Sequence, residues 1–229
     1  WALQRGWRIL LGDVSVAFLH AMLEKGDVIY VLPPPTESST CGRPAGKFLW
    51  ELKRALYGLR KAPKYFQNFV HQQLSKFGWR VSRADPQLWI HDERDGAMIS
   101  FHADDIMLTC APEWEDIICK ELSSVMKVKW LGALDEQWRK YLGFEWRRKP
   151  NSFEQRVPPK YIDKMLDEFG FQKCRKVQTP FAGSIELNRQ PEHTLGPLEH
   201  ARYRRLVGRL LWMKAARPDM AYAVKELSR

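Results

Sequence analysis

Two adjacent carboxylates, Asp104-Asp105, stand between the apolar runs Met98-Ile99-Ser100-Phe101 and Ile106-Met107-Leu108. Both runs read as strands, so the pair falls on a tight strand–turn–strand connection. Like charges this close repel unless a cation or hydrogen bonds offset them. Short hairpin turns favour Asn-Gly or Asp-Gly, so Asp-Asp is not chosen for turn formation. Taken alone, the pair is also compatible with a solvated surface turn. A third carboxylate adds weight to the chemical reading. Asp13 closes another apolar strand, Ile9-Leu10-Leu11-Gly12, and can neighbour Asp104 in one sheet. Three acids converging there would hold two Mg2+ ions about 4 Å apart, an arrangement that clamps both ends of an in-line phosphoryl transfer. Mg2+ prefers carboxylate, phosphate and water oxygens, and Mn2+ is a possible substitute.

The whole chain suits a polyanionic substrate. Its 229 residues carry 37 Lys and Arg against 27 Asp and Glu, a formal charge of +10. A globular domain this basic commonly meets nucleic acid or an anionic surface, although surplus lysines also serve solubility. Hydrophobic residues make up 45% and charged residues 28%, which argues against general disorder. Ten tryptophans suit a core, and they also suit base stacking. No apolar run approaches the ~18 residues of a membrane span. The start, Trp1-Ala2-Leu3-Gln4-Arg5, has neither an initiator Met nor a signal-peptide layout. The expectation is a piece of a longer polyprotein. Cysteines at 41, 110, 119 and 174 form no CxxC pair, so neither zinc nor a disulfide framework is expected. Reduced thiols fit the cytoplasm or nucleus better than secretion.

Several elements must position the carboxylates. After the strand ending at Asp13, strands are expected at 28–32 and 48–52, separated by a loop over 33–40. Pro63 opens a helix with Phe66, Phe69, Val70, Leu74 and Phe77 inward, closed by Gly78. Leu88-Trp89-Ile90 and the strand at 98–101 are joined by a turn at Arg94-Asp95-Gly96. Pro112 opens a helix with acids in its first turn and a stripe of Ile117, Ile118, Leu122, Val125 and Met126. Residues 138–157 read as a β-hairpin turning at Lys149-Pro150-Asn151-Ser152. Pro159 opens a helix with Ile162, Met165, Leu166 and Phe169 inward, stopped by Gly170. Residues 172–200 look like a linker, and 203–228 are mostly helical with a break near Arg217-Pro218. This order predicts an α+β domain with an antiparallel sheet, followed by an appended helical segment.

These residues resemble the reverse transcriptase domain of copia-type long-terminal-repeat retrotransposons. Asp13-Val14 through Ala17-Phe18-Leu19 resembles the family's first catalytic motif. Leu56-Tyr57-Gly58-Leu59-Arg60-Lys61-Ala62-Pro63 is similar to its Leu-Tyr-Gly-Leu-Lys-Gln-Ala-Pro segment. His102-Ala103-Asp104-Asp105 sits where the family has Tyr-Val-Asp-Asp, and Tyr141-Leu142-Gly143-Phe144-Glu145 resembles its Phe-Leu-Gly-Ile-Glu hairpin. Tyr203 to Gly208 and Arg217 to Val224 resemble the link towards a ribonuclease H domain. The likeness spans essentially the whole chain in the right order. Gly12 departs from a bulkier apolar residue, Ser15-Val16 from Lys-Thr, and His20-Ala21 from Asn-Gly.

The resemblance implies a right-hand polymerase palm, an antiparallel sheet flanked by helices, with partial fingers and the start of a thumb in residues 1–171. It implies a linker and a mostly helical connection segment in 172–229. The reaction implied is RNA-directed DNA synthesis. Asp13, Asp104 and Asp105 would be the catalytic and metal-binding residues. Val14, through its carbonyl, Phe18, Tyr57 and Gly58 would surround the incoming nucleotide. Phe18 would exclude a 2′-hydroxyl by clash, and it also reads as a core aromatic. Arg60, Lys61, Lys64, His102, Trp138, Arg139, Lys140 and Arg147 would meet the nucleic acid, or else be solvated faces. Lys129 could protonate the leaving pyrophosphate or lie solvated at the surface. The partners implied are an RNA or DNA template with primer, deoxynucleoside triphosphates, upstream fingers and a downstream ribonuclease H segment, with no membrane. A remnant that only binds nucleic acid and a two-metal nuclease are the other readings of the same residues.

Overall fold

A computed structural model of the chain describes residues 1–34, 48–180 and 194–228. It is mixed α+β with antiparallel sheets, as the sequence predicts. Two compact units divide it, residues 1–134 and 135–229. Among the described residues no helix is long and apolar enough to cross a membrane.

The first unit is built on a six-stranded sheet. Its strands are β1 (Arg8–Val14), β4 (Arg80–Val81), β5 (Leu88–His91), β6 (Ala97–His102), β7 (Asp105–Cys110) and β8 (Val128–Ala133). They lie in the order β4-β5-β6-β7-β1-β8, with every pairing antiparallel. Burial alternates along β5, β6 and β7, the two-residue period of a sheet with one face on a core. Leu10, Val14, Trp89, Ile99, Phe101, Ile106 and Leu108 form that face. Against it pack α1 (Ala62–Lys76), through Tyr65, Phe66, Val70 and Leu74, and α2 (Pro112–Val125), through Ile118 and Leu122.

Both helices carry a proline in the first turn, Pro63 in α1 and Pro112 in α2, where its missing N–H costs nothing. Gly78, at φ 82°, follows the end of α1 in the left-handed conformation expected of it. Ile117 is exposed, contrary to expectation. It is adjacent to Ile118 in sequence, and neighbouring helical residues point about 100° apart. The strands expected at 28–32 and 48–52 shrink to a small ribbon, β2 (Tyr30–Val31) with β3 (Trp50–Glu51). The predicted loop over 33–40 lies outside the described residues from position 35, as does Cys41.

The second unit holds a three-stranded sheet in place of the expected two-stranded hairpin. Its strands are β9 (Arg139–Tyr141), β10 (Phe144–Lys149) and β11 (Ser152–Arg156), in the order β11-β10-β9. The predicted turn survives, with Lys149 opposite Ser152. A second two-residue turn, Leu142-Gly143, has both residues at positive φ and sets Tyr141 opposite Phe144. That is the backbone of a type I′ hairpin.

Three helices follow: α3 (Pro159–Phe169), α4 (Pro197–Met213) and α5 (Ala221–Leu227). The first of these ends at Gly170, at φ 78°. Helix α4 begins six residues before the expected Tyr203, because the Glu199 carboxylate accepts the Gly196 N–H at 3.3 Å and caps the helix there. Phe144, Val157, Met165, Phe169 and Met213 form one core. The sequence boundary at 171/172 therefore falls between helices that share a core, α3 and α4.

Candidate active site

The chain order that builds the sheet also assembles the carboxylates. Strands β6 and β7 are joined by the two-residue turn Ala103-Asp104, with His102 opposite Asp105. Ala103 takes φ 54° and Asp104 is not among the positive-φ residues, so the left-handed residue comes first. That is the type II′ pattern, which favours glycine at the position Ala103 holds.

Strand β1 lies beside β7 with Asp13 opposite Asp105, and the Val14 N–H donates to the Asp104 carbonyl at 2.7 Å. On its other side Asp13 is opposite Lys129 of β8. Directly opposed residues of paired strands share a face. The row His102–Asp105–Asp13–Lys129 therefore crosses four strands, on the face away from the helices. The three aspartates are partly buried, and His102 and Lys129 are exposed.

Only oxygen donors come from the three carboxylates and the Val14 carbonyl, which suits a hard divalent cation. Among the described residues, however, no group of three or more His, Cys, Asp and Glu side chains is close enough to hold a metal ion. The backbone brings the aspartates to one level of the sheet without drawing their side chains into a ligand group.

Gly12, the departure beside Asp13, has a direct explanation. A Cβ there would lie 3.0 Å from Trp130 Cε3, the residue opposite it on β8. The Trp130 indole packs against the main core in the space a larger residue at 12 would take. Its Nε1 donates to Ser123 Oγ at 3.3 Å.

The short 3₁₀ helix Ala17–His20 follows β1 and carries Phe18. The Phe18 ring lies 4.5 Å from that of Tyr57 and 6.1 Å, edge-on, from that of Phe66. Tyr57 is half exposed. Gly58 takes φ 94°, and no atom lies within 4 Å of where its Cβ would be. A pocket of about 340 Å³ opens beside this cluster, with Phe18, Pro63, Gln67, Gln87, His102 and Ala103 in its wall.

The expected nucleic-acid cations divide into paired and unpaired groups. Lys61 Nζ donates to both Asp27 oxygens at 2.9 and 3.0 Å, and the Tyr65 hydroxyl donates to the same carboxylate. Those two donors hold the Asp27 carboxyl below its usual range, the tyrosine contributing most. Lys64 lies 3.2 Å from Glu24, which also accepts from Asn68 at 3.0 Å. Arg60 is exposed and makes no ion pair among the described residues.

In the second unit Arg139 pairs with Asp135 at 2.6 Å and Arg147 with Glu154 at 2.6 Å. The Trp138 ring lies near two guanidinium groups, Arg147 at 4.4 Å and Arg156 at 3.9 Å. Both guanidinium groups are close enough for cation–π contact with the indole. Lys140 is exposed opposite Glu145. Sequence reading missed Arg156, Asp27 and Glu24, because each is tied to its partner only by strand register or by a loop returning to α1.

A family model described as reverse transcriptase (RNA-dependent DNA polymerase) matches residues 1–183. The putative transposon Ty5-1 protein of Saccharomyces cerevisiae is 28% identical over 220 residues, covering 95% of this chain and 68% of that protein. Retrovirus-related Pol polyproteins from transposons RE2 and RE1 of Arabidopsis thaliana are 28% and 29% identical over 231 residues. These alignments take in 99% of this chain and 15% of each polyprotein, so the chain spans about a seventh of those relatives.

Proposed function

We propose, for a chain that belongs to the reverse transcriptase family and to its copia-like branch, that it is the RNA-directed DNA polymerase part of a longer transposon polyprotein. The observation that carries this reading is the register that sets Asp13 opposite Asp105, one residue from the Asp104 turn. In this reading the six-stranded sheet with α1 and α2 is the palm, and β9–β11 with α3 begin a thumb. Residues 1–171 are the polymerase proper, and 172–229 link it towards a ribonuclease H segment. Part of the fingers also falls within residues 1–171 in this reading.

The reaction joins the primer 3′-oxygen to the α-phosphorus of a deoxynucleoside triphosphate, expels pyrophosphate and releases the hydroxyl proton. Asp13 and Asp104, with Asp105 beside them, would hold divalent cations, which supply Lewis-acid activation of the hydroxyl and charge relief for the leaving group. Lys129 brings a positive charge to the same row. Phe18 sets a flat ring where a 2′-hydroxyl would lie, so ribonucleotides are rejected by clash. Arg60 and Lys140 are available to phosphates. Lys61, Lys64, Arg139 and Arg147 reach phosphates by exchanging their carboxylate partners.

Primer extension on an RNA template with Mg2+, then Mn2+, tests the reading. Asp104→Asn should lower incorporation on the order of a thousandfold, about 4 kcal/mol of barrier, while template–primer binding stays within about twofold. Equal incorporation by the two proteins would sink the site assignment.

A further inference from the structure

His20 lies outside the carboxylate row and touches its framework. Beyond Val14, strands β1 and β8 make one more contact, in which the Ser15 N–H donates to the Lys127 carbonyl at 2.8 Å. In an antiparallel ladder the return bond would run from the Lys127 N–H to the Ser15 carbonyl. Here the Lys127 N–H points to His20 Nε2 at 3.4 Å, and the Ser15 carbonyl lies 3.1 Å from that same nitrogen. The imidazole therefore stands in the place of the missing bond. Its ring is stacked on Phe69 of α1, with centroids 5.9 Å apart and planes at 19°. That stack sets the height at which Nε2 enters the ladder.

Val16 explains why the direct bond is not made. Its backbone turns left-handed at φ 52° and leads the chain from Ser15 into the 3₁₀ helix that carries His20. Asp13 lies two residues before Ser15, and Lys129 two residues after Lys127. The contact is thus the terminal fastening of the two strands that hold them opposite each other.

We infer that His20 is a positioning residue: its Nε2, accepting from the Lys127 N–H, bridges β8 to the segment that continues β1 and so holds Asp13 and Lys129 in register at the end of the β1–β8 ladder. The catalytic consequence rests on the polymerase reading above, whereas the bridge itself does not. One ring nitrogen either accepts from Lys127 or donates to Ser15, and never does both at once. A glutamine at this position has comparable reach and carries a donor and an acceptor on one group. It should replace the ring without loss. Leucine keeps the bulk against Phe69 and has neither.

The test compares wild type, His20→Leu and His20→Gln by amide hydrogen exchange over residues 125–130 and by steady-state primer extension. In His20→Leu the Lys127 amide should exchange about tenfold faster, and kcat should fall about tenfold with KM for the nucleotide within twofold. His20→Gln should restore both. Unchanged exchange in His20→Leu would overturn the bridge. Faster exchange at an unchanged kcat would overturn its link to the site, and a glutamine variant that matches leucine in both readouts would overturn the hydrogen-bonding role. Absence of extension by the wild type would count against the polymerase reading, and the exchange result would then decide the bridge alone.

Discussion

Val16 holds a left-handed backbone with its side chain 51% exposed, three residues past Asp13. A β-branched residue is poorly suited to that region, at a cost of roughly 1–2 kcal/mol. Nothing in the burial of its side chain repays this. Val16→Asn should therefore raise stability by about 1 kcal/mol, seen as a higher urea midpoint at unchanged slope. An unchanged midpoint would mean that the turn relaxes once the valine is free to move. Ala103 carries the same strain at φ 54° in the turn that presents Asp104. The turn that carries Asp104 and the turn that follows the Asp13 strand thus both hold non-glycine residues in glycine-favoured geometry. The aspartates were legible from sequence because a carboxylate pair between two apolar strands is chemically conspicuous. Neither strained residue was, because valine and alanine give no signal of φ.

Gly143 shows how one small residue governs an element. It takes φ 82°, and a Cβ there would approach Trp212 Cζ2 to 3.0 Å. Trp212 is stacked on Phe144 at 4.4 Å and 8°. Gly143→Ala should combine backbone strain with overpacking and destabilise the second unit by about 1–3 kcal/mol. A lowered thermal midpoint, with faster proteolysis confined to residues beyond 134, is the expected result. A wild-type melting curve would show that Trp212 can step aside. The helices were legible at this scale because proline starts and glycine stops bracket clear 3.6-residue stripes. The extra strand β9 and strand β8 were not. A three-residue strand has no period to read, and the sequence Val128-Lys129-Trp130-Leu131 carries a bulge where Leu11 and Gly12 face Gly132 and Trp130. The acidic partners of Lys61 and Lys64 were also invisible, since Glu24 and Asp27 reach α1 across more than thirty residues of chain.

At the scale of the whole molecule, the cysteines among the described residues differ between the two units. Burial pushes the Cys110 and Cys119 thiols up to about 12, whereas Cys174, in the second unit, is exposed. At pH 8 only about one in ten thousand of either thiol would be thiolate. A thiol reagent should label the exposed Cys174 within minutes, the partly buried Cys119 far more slowly, and the buried Cys110 only after unfolding. Rapid labelling of Cys110 in the native state would show that β7 and α2 part readily. The sign of the linkage is definite. Raised folded values stabilise the fold below the ordinary thiol range near 9, and this is lost as pH rises from there towards 12.

The sequence by itself determined the α+β class and the order of the main helices, and it singled out the three aspartates proposed for the site, because apolar period, proline and glycine placement and residue chemistry are local properties. The tertiary structure alone decided that Asp13 faces Asp105 and Lys129, that Trp130 fills the space at Gly12, and that four of the expected nucleic-acid cations are already paired. Those facts depend on strand register and on contacts between distant segments. A one-residue change of register would turn Asp13, Asp105, Lys129 and Trp130 to the other face of the sheet.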